Sequence, residues 1–309
     1  MRMTYQFLLK LCGITAALAC LPLSTASANT YSMPGASNSI IGDVSYTSAW
    51  SGETLVGIGQ RNNVGLNAMV NANPGLGDNA RLSSGTHVKV PSKFLLPPLP
   101  RKGIVVNVAE MRMYYYPEGT DSVMTFPIGI GKLGKTIPLG NTSITRKVVN
   151  PTWTPPESIR AFNRDQGIEL PYAMGPGPDN PLGPYAIYLR IPTFLIHSTI
   201  FPESIGRRAS FGCVRMHETD IKQFFPLVQP GTPVAIVDMP TKVGWNGNKL
   251  FIETHPASEE NPDKGMNSVM SSVQAALPNH GAVLVNWQAV AYLADQRDGI
   301  PHEIGTKVN

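Results

Sequence analysis

His197-Ser198-Thr199-Ile200-Phe201-Pro202-Glu203-Ser204-Ile205-Gly206-Arg207-Arg208-Ala209-Ser210-Phe211-Gly212-Cys213-Val214-Arg215-Met216 is the stretch around which the rest of the chain is read. It holds a cysteine, an upstream histidine and a glycine beside the sulfur. These are the residue types that thiolate catalysis needs: a nucleophile, a base for its proton, and backbone that can approach a substrate closely. Cys213 is the candidate nucleophile, and His197, ending an apolar strand, is the candidate base. The loop between them is long enough to fold one back onto the other. Ser198 can hold the imidazole in the useful tautomer through its carbonyl or its hydroxyl, the role that a carboxylate has in other triads. The amides of Gly212 and Cys213 can point at one developing oxyanion.

Cysteine usage supports the same reading. The chain has three cysteines, and Cys12 and Cys20 lie in a leader, residues 1–28. Arg2 and Lys10, an apolar run over 11–23 and Ala26-Ser27-Ala28 give this leader the form of a secretory signal peptide. Its apolar run is short of the ~20 residues that a membrane span needs. Leu18 stands one place late for lipidation at Cys20. Export leaves Cys213 without a pairing partner in an oxidising compartment, where an unpaired thiol is a liability unless its reactivity is used; a buried structural thiol is the alternative.

The flanking residues offer supports and rivals. Glu218, Asp220, Ile221, Phe224 and Phe225, stopped by Pro226, predict a short helix after the cysteine, whose dipole would favour thiolate. His217 is the rival base. His87, His255, His280 and His302 are expected at the surface. Arg215 is a candidate for a bidentate grip on a substrate carboxylate, or for bridging the loop. Arg207 and Arg208 are either substrate-capturing charges or solvated ones. No His-Glu-x-x-His or other tight ligand cluster suggests a metal, and no Ser-x-x-Lys suggests a serine enzyme.

The chain has 309 residues, 42% of them apolar, enough for two or three units. Its 29 glycines and 28 prolines fall between short apolar runs, which predicts many short strands and a mainly β fold. Of the formal charge of +4, two charges belong to the leader, and no run of like charges favours nucleic acid. After a polar leader over 31–43, residues 44–91 suit a strand, two short helices and a strand, with Thr54 and Asn67 as helix caps and Asn73-Pro74-Gly75 as the stop. Residues 92–101 are rich in proline and predict a stiff spacer. Strands follow over 104–108, 111–116 and 123–130, with Tyr114, Tyr115 and Tyr116 alternating between core and surface. Two long loops, 150–156 and 170–183, are expected to wall a cleft, with a short helix over 158–164 between them. Tyr185 begins a strand that leads toward His197. A strand over 232–238 closes this unit. Beyond it lie a strand at 249–253, a charged turn at 259–264, helices near 266–273 and 287–295, and a strand at 283–285, forming either a cap over the cleft or a stabilising appendage.

His197-Ser198, Ser210-Phe211-Gly212-Cys213 and Val214-Arg215 resemble the signature of YkuD-type L,D-transpeptidases, with Phe211 where many members carry histidine. Gly52-Glu53-Thr54-Leu55, Asn73-Pro74, Gly85 and the strand ending at Pro91 resemble a LysM module. The order of units, and the loop Asn180-Pro181-Leu182-Gly183, is similar to the ErfK/YbiS group of periplasmic enzymes. The resemblance implies a mainly β catalytic domain over 102–239 with a short helix after the cysteine. A βααβ module over 44–91, a linker over 92–101 and an α/β appendage over 240–309 complete the chain. It implies Cys213 and His197 as catalytic residues supported by Ser198 and Gly212, and Arg215, Ser210 and Tyr185 as substrate contacts. No cofactor or metal is implied. The expected partners are peptidoglycan glycan and stem peptides, with a second stem peptide, the lysine of an outer-membrane lipoprotein, or water as acceptor, and the protein is expected to be monomeric. A wall-binding protein without catalysis is the rival reading.

Overall fold

The computed structural model describes residues 30–257, 265–278 and 281–308. The expected signal peptide with Cys12 and Cys20, the charged turn at 259–264 and His280 lie outside these residues. The fold is mainly β, with 32% strand and 20% helix. Among the described residues no helix is long and apolar enough to cross a membrane.

A curled nine-stranded sheet organises the chain. At its middle, Pro233–Val237 runs parallel to Gly103–Asn107 and antiparallel to the start of Gly140–Val149. One flank continues through Arg112–Tyr116 and Ser122–Pro127. The other continues through Tyr185–Leu189 and Leu195–His197 to Val214–Arg215, which pairs parallel. The polar leader is not merely a leader: Thr30–Ser32 adds an edge strand against Ser122–Pro127.

Both faces of this sheet are covered. On one face Phe126, Ile187, Ile196, Val214 and Met216 pack with Ile221 and Phe224 of the helix Glu218–Phe224. On the other, Val105, Tyr114, Tyr116 and Val123 pack with Ile41, Phe94 and Leu96. The alternation expected of Tyr114 to Tyr116 therefore becomes burial of all three. Tyr115 meets Phe224 edge-on at 5.3 Å, while its two neighbours face the second layer.

That second layer corrects the reading of residues 92–101 as a spacer. Lys93–Leu95 is a strand paired with Ile40–Gly42, and Phe94, Leu95 and Leu96 are buried. Proline at 97, 98 and 100 ends the strand without keeping it in solvent. The apolar residues before the prolines decide its place.

The small unit has the expected order. Ser45–Ser48 pairs antiparallel with His87–Val90, and the helices Leu55–Arg61 and Leu66–Ala72 cover them. Leu55, Ile58, Met69 and Val88 form its core. Thr54 Oγ1 accepts from the Gly57 amide at 3.4 Å and so caps the first helix. Asn67 does not cap the second; it lies inside the helix, and Gly65 is the capping residue. Asn73 ties that helix to the strand, donating to the Met69 and Lys89 carbonyls, both at 2.8 Å, and accepting from the Lys89 amide at 2.9 Å.

The C-terminal unit is a four-stranded antiparallel sheet of Thr241–Asn246, Lys249–Thr254, His302–Lys307 and Val283–Val285, covered by the helices Met266–Ala275 and Trp287–Gln296. A buried charged cluster joins it to the nine-stranded sheet. Lys242 Nζ lies 2.7 Å from Glu253 and 2.9 Å from Glu110, and donates to the Leu95 carbonyl at 2.7 Å. His255, expected at the surface, is buried here with Nε2 2.7 Å from Glu253. Burial pushes the Glu110 carboxyl up, but the charges of Lys242, His255 and Arg112 outweigh it and hold it below the usual range. Glu110, Glu253 and His255 have the composition of a ligand trio, yet the Lys242 ammonium already bridges the two carboxylates.

Candidate active site

The edge strands bring the two ends of the signature together. In the parallel pair, Ile196 lies opposite Val214 and His197 opposite Arg215. Side chains on a strand alternate, so His197 and Arg215 share a face while Ile196 and Val214 enter the core. The amide and carbonyl of Arg215 bond those of Gly129 at 2.8 and 2.9 Å, fixing the strand from its other side. The Arg215 charge bears on both His197 and Cys213, which places all three in one electrostatic neighbourhood.

His197 is buried, and its Nδ1 lies 2.5 Å from the Ser198 carbonyl oxygen. A carbonyl can only accept, so Nδ1 carries the hydrogen and Nε2 is left with a lone pair. Of the two supports expected from Ser198, the structure therefore selects the carbonyl. The hydroxyl holds the loop instead, donating to the Leu182 carbonyl at 2.9 Å and accepting from the Tyr185 amide at 3.0 Å. Gly183, at φ +60°, has no room for a side chain, because a Cβ would stand 2.5 Å from Ser198 Oγ. Burial, and then the Arg215 charge, hold the His197 pKa down to about 4, against the opposing pull of the Ser198 and Leu182 carbonyls. The imidazole is thus neutral near pH 7, the form that can accept a proton.

Cys213 is half-buried, and its Sγ donates to the Thr193 carbonyl at 3.7 Å. Burial pushes the thiol up, while the Leu195 backbone and the Arg215 charge pull it the other way. The resting pair is therefore thiol and neutral imidazole. Thr193 holds an unusual left-handed conformation at φ +70°, and no sequence signal marks it.

Gly212 is required by space and by backbone conformation. Its φ is +113°, and a Cβ there would lie 2.6 Å from the Phe194 ring. Its amide is not part of an open donor pair, because it donates to Ser210 Oγ at 3.1 Å. Ser210 Oγ in turn donates to the Cys213 carbonyl at 2.6 Å. Ser210 is buried and closes the turn at Cys213, so its hydroxyl is engaged within the protein. Tyr185 lies on the strand face opposite His197, and its ring packs on Phe225 at 5.1 Å. Arg215 is half-buried over the Phe201 ring at 5.5 Å, with its Nε unpartnered.

His217 is separated from Cys213 by the strand Val214–Arg215 and stands at the start of the helix Glu218–Phe224. Burial pushes it down to about 4 as well. The helix expected after the cysteine begins at Glu218, beyond the strand Val214–Arg215.

The loop between His197 and Cys213 is tied to the small unit. The first amides of the helix Leu66–Ala72 donate into it, Leu66 to the Ile205 carbonyl at 3.3 Å and Asn67 to the Gly206 carbonyl at 3.2 Å. Arg207, one of the two arginines weighed for substrate capture, pairs with Asp78 at 3.2 Å. The helix Glu157–Arg164 stands where sequence placed one, and Asn180 joins the two long loops through the Pro151 carbonyl at 2.8 Å and the Gly175 carbonyl at 3.1 Å. Phe162 of this helix meets Phe211 edge-on at 5.1 Å. Sequence reasoning missed Lys132, Phe162 and Thr193, whose partners are distant in the chain.

The profile of the YkuD family, the L,D-transpeptidase catalytic domain, matches residues 101–236. The chain is 39% identical to the probable L,D-transpeptidase YcfS of Escherichia coli K12, over 90% of this chain and 89% of that protein. It is 41% identical to the probable L,D-transpeptidase YbiS of the same strain, over 75% and 76% of the two chains. Probable L,D-transpeptidase ErfK/SrfK of that strain is 46% identical over 58% of this chain and 57% of its own. The likeness to YcfS runs through nearly the whole of both proteins, and the chain belongs to the YkuD family of L,D-transpeptidases.

Proposed function

We propose that this enzyme acts on peptidoglycan stem peptides, with Cys213 as nucleophile and His197 as general base and acid. The observation that carries the assignment is the hydrogen bond from His197 Nδ1 to the Ser198 carbonyl, because it leaves Nε2 as the basic atom on the face shared with Arg215. As the sulfur attacks the carbonyl carbon of the third stem residue, the thiol proton passes to Nε2 and a tetrahedral oxyanion forms. The C–N bond then breaks, the terminal D-alanine takes the proton from Nε2 as its amine leaves, and a thioester remains. An acceptor amine gives its proton to Nε2, attacks the thioester and displaces the sulfur, which recovers the proton. Arg215 supplies positive charge while negative charge is on sulfur or oxygen.

The acceptor is an amine of a second stem peptide or a lipoprotein lysine, and the site of action is the periplasm after removal of residues 1–28. We assign glycan binding to the unit over 44–91, where Tyr46 and Trp50 are 68% and 67% exposed and offer aromatic surface to sugars, the Arg61 guanidinium lying over the Trp50 ring at 4.8 Å. Replacing both with Ala in the whole chain is expected to lower co-sedimentation with purified sacculi. Unchanged sedimentation contradicts glycan binding there. The reaction itself is tested by incubating the protein with disaccharide tetrapeptide: one D-alanine is released per acyl transfer, and none is released by Cys213→Ala. Release by that variant contradicts the nucleophile.

A further inference from the structure

Phe211 stands beside the nucleophile turn at a position where many members of the family carry histidine, and its ring has a specific use. Lys132 Nζ lies 4.0 Å from the Phe211 ring centroid and 3.7 Å from that of Phe162. The ammonium is therefore flanked by two aromatic groups, one from the nucleophile turn and one from the helix Glu157–Arg164. Its backbone is equally fixed: the Lys132 amide donates to the Ser210 carbonyl at 3.0 Å, and Gly131 pairs with Ser210. Gly131 and Gly212 are in close approach, since a Cβ on Gly131 would stand 2.9 Å from the Gly212 Cα. Lys132 thus belongs to the wall of the catalytic turn.

Its charge has no acidic partner among the described residues, whereas Lys242 and Lys249 each meet a carboxylate. Aromatic faces hold a cation without neutralising it. Two rings fix the position of the ammonium and leave its remaining donors for an anion. On the same turn, Arg215 adds positive potential at the sulfur. A peptide substrate whose free carboxylate lies close to the attacked carbonyl complements this arrangement, through a charge-assisted hydrogen bond to Nζ.

We propose that Lys132 is a specificity-determining residue that binds a carboxylate of the donor peptide, with Phe162 and Phe211 fixing its ammonium at the rim of the Cys213 turn. This rests on the peptidoglycan reading above, and it concerns recognition alone. Phe211 then contributes to substrate selection through Lys132, and the helix Glu157–Arg164 is held to the nucleophile turn by the same ammonium.

The experiment compares the wild type, Lys132→Met and Lys132→Arg on three donor tetrapeptides: one with all carboxylates free, one amidated at the terminal D-alanine, and one amidated at the carboxylate of the third residue. Release of D-alanine or its amide gives KM and kcat. For the free peptide, Lys132→Met is expected to raise KM roughly tenfold to a hundredfold, the loss of one charge-assisted hydrogen bond, with a smaller effect on kcat. Lys132→Arg should keep most of the affinity. One of the two amidated peptides should raise the wild-type KM to the same degree and show no further loss with Lys132→Met. Equal losses by Lys132→Met on all three peptides, or no loss on any, overturn the proposal by reducing Lys132 to a packing role or to none. Turnover of none of the peptides by the wild type contradicts the peptidoglycan reading itself, an outcome distinct from turnover that ignores Lys132.

Discussion

His197 and Cys213 are both held in their neutral forms, and this shapes the pH behaviour of the site. Burial lowers the imidazole and raises the thiol, so thiolate is scarce in the resting protein. Alkylation of Cys213 by iodoacetamide should therefore be slow near pH 7, with a midpoint above the ~8.5 of a free thiol. Arg215→Met should move that midpoint higher still, because the guanidinium favours thiolate; a downward movement would contradict the role given to Arg215. His197 and His217 also bear on folding. Their native pKa of about 4 lies below the ordinary 6.5, so the unfolded chain binds protons that the native state refuses. Stability is whole above pH 6.5 and is lost as pH falls toward 4, by up to about 3 kcal/mol for each histidine. His217→Gln should remove about half of this acid slope in urea titrations at stepped pH, and an unchanged slope would contradict the burial of His217. Cys213 and His197 were singled out from sequence because both residues lie in one signature. The choice between the Ser198 carbonyl and its hydroxyl was not legible there, since it depends on where Leu182 and Tyr185 come to rest.

At the scale of elements, the helix Leu66–Ala72 begins on the loop that connects base to nucleophile. Its first amides are satisfied by the carbonyls of Ile205 and Gly206 rather than by a side-chain cap. Asn67 was misplaced as a cap because the actual partners come from a loop far along the chain, which no local pattern records. Gly206 is the pivot of this contact: its φ is +77°, and a Cβ would lie 2.2 Å from the Leu66 nitrogen. Gly206→Ala is expected to cost about 1–3 kcal/mol and to slow acylation of Cys213, because the loop must leave the helix. Asp78→Ala, which breaks the half-exposed pair with Arg207, should change stability by less than about 1 kcal/mol. Thermal melts and acylation rates of the two variants separate the contributions. A Gly206→Ala protein as stable as wild type would mean that the loop does not depend on the helix. The helix Glu157–Arg164 and the short strands were foreseen because turn residues and apolar runs bound them.

Across the whole molecule, the prolines at 97, 98 and 100 suggested separation between units where the structure has contact. Leu95 illustrates the reason. Its amide donates to Glu253 at 2.6 Å and its carbonyl accepts from Lys242 at 2.7 Å, both partners in the C-terminal unit. Lys242 and Glu253 are fully buried, and Glu110 brings the catalytic sheet into the same cluster. Such a network holds the units together only while its charges are matched. Lys242→Met leaves two carboxylates without their shared cation, and should destabilise the chain by about 3–5 kcal/mol while lowering the melting of the C-terminal and catalytic units together. Separate melting of the C-terminal unit in the wild type, followed by calorimetry, would contradict this coupling. The fold class was legible in the glycine and proline spacing. The cluster was not, because Glu110, Lys242 and Glu253 carry no mark in sequence that distinguishes a buried charge from a solvated one.

The central claim is that acyl transfer runs through Cys213 with His197 as its base, and intact-mass measurement of covalent acylation by a carbapenem tests it most directly. The wild type should gain one adduct, located at Cys213 by peptide mapping, and Cys213→Ala should gain none. His197→Gln should acylate roughly a hundred- to ten-thousand-fold more slowly, and His217→Gln at close to the wild-type rate. An adduct on Cys213→Ala, or a larger loss from His217→Gln than from His197→Gln, would contradict the account.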